Sequence, residues 1–233
     1  MKKSVLGLTL AMAFGANANQ ISVENVIVYF ENNQNGKEDV FVKNLQNENG
    51  YVQINVTEIV DPASKEPKRI EHKNIKDSGL LVSPNKLVLE PQGKKGDNKA
   101  IRIANLNKNL DKERIYRIQV VPVIADFKQK EKTLGVKVLM GYEILTMVQP
   151  NNPIKSYDYK IEGNKLKVTN TGNANILLHR GIQCQDEAQK VCSELETKRV
   201  YAGATFETTL PYGNKPVTYH IQFGNNNEEK VFK

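Results

Sequence analysis

From Ile21 onward the chain alternates short apolar runs with polar turns. Ile21-Ser22-Val23 and Val26 to Phe30 are β-rich, and Asn32 to Gly36 reads as a turn before Val40 to Lys43. A second turn at Asn47 to Gly50 leads into Tyr51–Val60, where Val52, Ile54 and Val56 point one way and Gln53, Asn55 and Thr57 the other. Pro62 and Pro67 break that run. Leu80 to Val82, Leu87 to Leu89, Ala100 to Ile103 and Ile115 to Ile124 predict further strands. No window long enough for a helix carries a helical period with caps. Strands separated by turns at a spacing of about 8–12 residues predict a β-sandwich.

Pro150-Asn151-Asn152-Pro153 interrupts the pattern, because two prolines flanking two asparagines continue neither strand nor helix. The strand pattern restarts at Tyr157 to Ile161, Lys165 to Thr169, Ile176 to Leu178, Thr205 to Leu210 and Val217 to Phe223. The expectation is an all-β protein of two sandwich domains, residues 19–149 and 150–233, with no sequence repeat relating them.

One segment departs from simple alternation. Gly135 to Val148 is β-prone throughout, and for much of its length apolar residues fall on both faces. A strand needs that only if it is covered on both sides. It is either a central sandwich strand or an edge that lends its apolar face to another protein by strand addition. A long apolar edge is an aggregation hazard, so the second reading requires a regular client.

The first residues are of another kind. Lys2 and Lys3, the short apolar run Val5 to Phe14 and the small-x-small Ala16-Asn17-Ala18 form a secretory signal, residues 1–18. Its removal leaves 215 of the 233 residues, and loss of the two lysines lowers the net charge from +7 to +5. No apolar run is long enough for a mature membrane span. In an oxidising compartment Cys184 and Cys192 predict a disulfide clip closing a short loop, since the spacing of a redox pair is absent.

Candidate chemistry is sparse. Gly93-Lys94-Lys95-Gly96 matches a nucleic-acid-binding GXXG only in letters; strands flank it, and it reads as a turn. Basic residues are dispersed and aromatics make up 7%, which gives no base-stacking platform and no nucleic-acid partner. His72, His179 and His220 are scattered, no G-x-S-x-G elbow exists, and no four-ligand zinc pattern is present. The expectation is no catalytic residue, no metal and no cofactor. Asn55-Val56-Thr57 matches a glycosylation sequon by three residues only.

Several segments together resemble the periplasmic pilus chaperones of the PapD-like family. Leu87 to Gly93 is similar to the family's strand and proline turn, Lys99 to Ile103 follows, and Asn109 to Arg114 fits the first half of its signature. Glu113 to Ile118, Asn170 to Ala174 and the Cys184/Cys192 loop are similar to the alternative chaperone–usher branch. The resemblance implies two immunoglobulin-like domains in a bent arrangement, periplasmic location, and clients that are pilin subunits lacking one strand. It implies that the last strand of the first domain supplies that strand, with delivery to an outer-membrane usher.

Counted back from Pro150, Val136, Val138, Met140 and Tyr142 fall at the donor positions, and the period of two sets them on one face. Burying three such side chains contributes on the order of 5–8 kcal/mol. The family's carboxylate-binding Arg and Lys fall at Ile27 and Leu145, a departure from the pattern. Arg102, Arg114, Arg117 and Lys137 are the basic residues left as candidate anchors; Arg114 and Arg117 read equally as structural cations. Self-association is the other way to cover a free edge. The rival reading is a secreted structural pilin or adhesin, and a secreted sugar-binding or catalytic sandwich comes third. Intact-mass measurement of the exported protein should give a chain starting at Asn19, 2 Da heavier after reduction of its single cystine.

Overall fold

The computed structural model describes residues 20–31, 36–124, 139–186 and 191–233. The first sandwich contains β1 (Ile21–Val23), β2 (Ile27–Phe30), β3 (Lys37–Asn44), β4 (Gly50–Val60) and β5 (Lys68–Ile70). A single helical turn, α1 (Ile75–Ser78), precedes β6 (Leu80–Ser83), β7 (Lys86–Leu89), β8 (Asn98–Asn105), β9 (Arg114–Val123) and β10 (Tyr142–Val148). The second contains β11 (Tyr157–Glu162), β12 (Lys165–Asn170), β13 (Ile176–Cys184), β14 (Cys192–Leu195), β15 (Lys198–Val200), β16 (Thr205–Thr209), β17 (Val217–Phe223) and β18 (Asn226–Phe232). No helix among the described residues is long and apolar enough to cross a membrane.

In the first sandwich the sheet β1-β3-β8-β6 faces the sheet β2-β10-β9-β4-β5, with β7 paired to β4. The alternation in the sequence sorts residues between core and outside. Val40, Val42, Ile101 and Ile103 from one sheet meet Ile54, Ile118, Val120 and Ile144 from the other, all buried. In the second, β11-β12-β16 faces β14-β13-β17-β18, with β15 on β13. Leu166, Val168, Ile176, Leu178 and Ile221 fill its core around Tyr219 and Phe232. Gly181 lies against the Tyr219 ring, where an added Cβ would come within 2.4 Å of ring carbons. Cys184 and Cys192 are register partners on β13 and β14 and are disulfide-bonded.

β10 explains the segment with two apolar faces. Ile144 and Val148 point into the first core, while Leu145 and Met147 point outward into a small cluster with Ile115, Tyr29, Ile59 and, from the second sandwich, Tyr201. One face is covered by its own domain and the other by its neighbour. The sequence expectation of strand from Gly135 differs in part. Residues 125–138 lie outside the described residues, and Leu139, Met140 and Gly141 precede the ladder without joining it.

The two sandwiches share a device that their sequences do not announce. At the end of β3, Asn44 donates to the Glu48 and Glu90 carbonyls at 2.7 and 2.9 Å and accepts from the Gln46 N–H. At the end of β12, Asn170 donates to the Ala174 and Val200 carbonyls at 2.8 Å each and accepts from the Gly172 N–H. Both asparagines are fully buried. Each substitutes for a backbone ladder where the strand turns away. Replacing either by Ala strands two carbonyls and one N–H. Asn44→Ala and Asn170→Ala should each cost about 2–4 kcal/mol in urea unfolding, and additively, since they sit in separate cores.

Candidate functional site

The candidate site begins with the edge of β10. On one side it pairs antiparallel with β9 along its whole length, from Tyr142↔Val120 to Val148↔Arg114. On the other side β2 pairs with it in parallel, but only from Leu145↔Ile27 to Val148↔Phe30. The Leu145 N–H donates to the Val26 carbonyl at 2.9 Å, and the chain then turns away, because β1 pairs with β3 in the opposite sheet. Among the described residues, Tyr142, Glu143 and Ile144 therefore have a ladder partner on one side only. Unpaired backbone groups on a strand edge are a template for another strand.

The face of this sheet turned toward the second sandwich reads in rows. Ile27, Leu145, Arg117 and Thr57 are register partners across four strands, and the next row is Tyr29, Met147, Ile115 and Ile59. Ile27 is 53% exposed. Beside these rows lies a pocket of about 280 Å³ lined by Ile59, Pro62, Pro67, Ile115, Arg69, Arg117 and Tyr201. Its walls are apolar and its two charges are guanidinium groups. Arg117 has no hydrogen-bond or ion-pair partner among the described residues. Arg69 reaches Glu143 on β10 at 3.0 Å, and Gln119 donates to the same oxygen at 3.2 Å. The Arg69 hydrogen bond holds the Glu143 carboxyl below its ordinary range.

The other basic candidates are placed elsewhere. Arg102 lies on β8, in the sheet away from the cleft, and forms a two-pronged pair with Asp39 at 2.8 and 2.7 Å. Arg114 grips Glu58 through two bonds of 2.8 and 2.5 Å and reaches Asn107 at 2.7 Å. His72 joins the same carboxylate at 2.5 Å. Burial pushes the Glu58 carboxyl up, but these partners outweigh it and leave it below its ordinary range. That cluster plugs one end of the first sandwich with a satisfied charge pair. His179 and His220 are register partners on the second sandwich, their rings 5.6 Å apart.

Of the apolar candidates, Met140 is 45% exposed beside the open edge. Tyr142 is half-buried against the first core, and its hydroxyl donates to the Ile21 carbonyl at 3.2 Å. Tyr142 thus closes its own sandwich as well as standing at the edge. Val136, Val138 and Lys137 lie outside the described residues. The sequence reading missed Arg69 and Glu143. Glu143 had a signal, as the one acid in a β-prone run, but Arg69 lies far off on a short polar strand with none.

Comparison with known proteins bears on the family and the fold. Residues 23–149 match the family model described as the CS5 fimbrial protein N-terminal domain. The solved structure of the class 5 fimbriae chaperone CfaA aligns with a TM-score of 0.63 at 21% identity, over 91% of this chain and 98% of that one. The SafB chaperone, solved with the Salmonella enterica pilin SafA, gives 0.60 at 16% identity, over 91% and 95%. The E. coli chaperone DraB gives 0.59 at 18% identity, over 90% and 95%. No curated protein is similar enough in sequence to count as a match.

Proposed function

The chain belongs to the CS5 fimbrial protein N-terminal domain family, with the two-sandwich fold of pilus chaperones, and from that premise we propose that it chaperones fimbrial subunits. The observation that carries this reading is the one-sided ladder at Tyr142, Glu143 and Ile144 among the described residues, next to Arg117, which makes no hydrogen bond or ion pair among those residues and acts on Glu143 only at a distance. A subunit short of one strand adds its own edge to β10 there. Backbone hydrogen bonds supply general affinity, and side chains on the core face fill the subunit's open groove. Met140 shares parity with Tyr142 and Ile144, so the groove it fills continues the first core rather than starting a separate one. In the sequence, Val136 and Val138 are spaced by two from Met140 and carry the same parity.

Arg117 is the reading's anchor for the subunit's C-terminal carboxylate. It lies in the row of Ile27 and Leu145, one strand over, so the cation has moved along the row while the cleft is kept. Arg102 and Arg114 are already committed to Asp39 and Glu58. The protein acts without catalysis, in the periplasm, and hands its client to an outer-membrane usher; self-association covers the edge when no client is present.

Two variants test this with the co-expressed fimbrial subunit. Val138→Asp with Met140→Asp should abolish co-purification while leaving the melting temperature near that of the parent. Arg117→Ala should weaken subunit binding by about 10–100-fold, the loss of one charged hydrogen-bond pair, with Arg117→Lys intermediate. Retained binding by the folded double variant would remove the reading, and unchanged binding by Arg117→Ala would move the anchor elsewhere.

A further inference from the structure

Glu113 stands where the two sandwiches meet. Its backbone N–H donates to the Asn173 carbonyl of the second sandwich at 3.0 Å. Its carboxylate accepts from the Asn175 backbone N–H at 3.0 Å through Oε2, and from the Asn175 side-chain amide at 2.5 Å through Oε1. The Tyr29 hydroxyl lies 3.4 Å from the same Oε1, and Gln149 donates to that hydroxyl at 3.0 Å. Glu113 as a whole is half-buried, and desolvation is the largest influence on its carboxyl.

The charged and titratable groups facing it are Tyr29 from β2, Arg199 from β15 and Tyr201 just beyond β15. Arg199 spends its hydrogen bond on the Asn175 side-chain oxygen. Among the described residues, therefore, no cation touches the Glu113 carboxylate, and its direct partners are neutral. A buried acid with neutral partners is the arrangement in which a proton competes with ionisation near neutral pH. Burial raises this carboxyl from 4.5 to about 7, against the pull of the Asn175 bonds, Arg199 and Tyr29. The Tyr29 hydroxyl, both donor and acceptor, can receive the hydrogen bond of the acid form.

We propose that Glu113 is a proton-operated latch at the domain junction, holding the two sandwiches together when protonated and loosening them when ionised. The sign follows from linkage. Opening the junction returns the carboxyl to water, where it ionises at its ordinary value, so the docked state binds the proton more tightly. The contribution to docking is complete below the ordinary value of 4.5 and is lost as pH rises through about 7. Between those limits the opening constant rises by up to about tenfold per pH unit. Tyr29 and Met147 of the junction share the sheet face that carries Arg117, so the latch sets how firmly that cleft is held.

The test uses the exported, disulfide-bonded protein without any subunit, so its outcome is separate from that of the chaperone reading. Two quantities are followed between about pH 5 and about pH 8: the carboxyl carbon shift of Glu113, and hydrogen-exchange protection of the Asn175 amide corrected for intrinsic exchange. The carboxyl should titrate near 7. Asn175 protection should fall by up to about tenfold per unit below that midpoint and level off above it, while the Val168 and Ile221 amides stay unchanged. Glu113→Gln should flatten the Asn175 profile. A carboxyl midpoint below about 5, or Asn175 protection independent of pH in the parent protein, overturns the proposal. The parent's own titration decides the matter even if the variant does not fold.

Discussion

A strand that is apolar on both faces must be covered on both, and β10 is where this protein meets that constraint twice. Its inner face belongs to the first core through Ile144 and Val148. Its outer face is covered by contact with Tyr201 of the second sandwich through Leu145 and Met147. Leaving those side chains in water would cost each roughly 1.5–3 kcal/mol. The second sandwich is thus positioned by the same strand that carries the open edge. Docking of the domains and presentation of the edge are two consequences of one segment.

The edge exists because β2 covers only half of β10. The N-terminal strand crosses from one sheet to the other between Val23 and Ile27, and the crossing point fixes where cover ends. Upstream of Leu145 the ladder is one-sided. A continuous first strand on β10 would have sealed the sandwich.

Charge is divided by burial and pairing rather than by number. Arg102 and Arg114 are near matched motifs in sequence, yet each is neutralised by a carboxylate in two-pronged geometry. Such pairs stabilise locally and leave little field for a ligand. Among the described residues Arg117 makes no ion pair: its row neighbours are Leu145 and Thr57, and it acts on Glu143 only through its field. At the junction the reverse holds: Glu113 is enclosed with amides and a phenol, and among the described residues no cation touches its carboxyl.

The alternation of Val52, Ile54 and Val56 with polar neighbours, the proline-flanked break at 150–153 and the Cys pair were legible because they are local. Side-chain parity, turn chemistry and a short covalent loop need only nearby residues. What the sequence could not decide was which arginines are committed to carboxylates, that Tyr142 also closes its own core, that Arg69 reaches Glu143 from 74 positions away, and that Glu113 is bonded to Asn175. Those outcomes depend on register between strands distant in the chain and on which surfaces the second sandwich covers. Local pattern fixes which face a residue occupies; only the assembled sheets determine what stands opposite it.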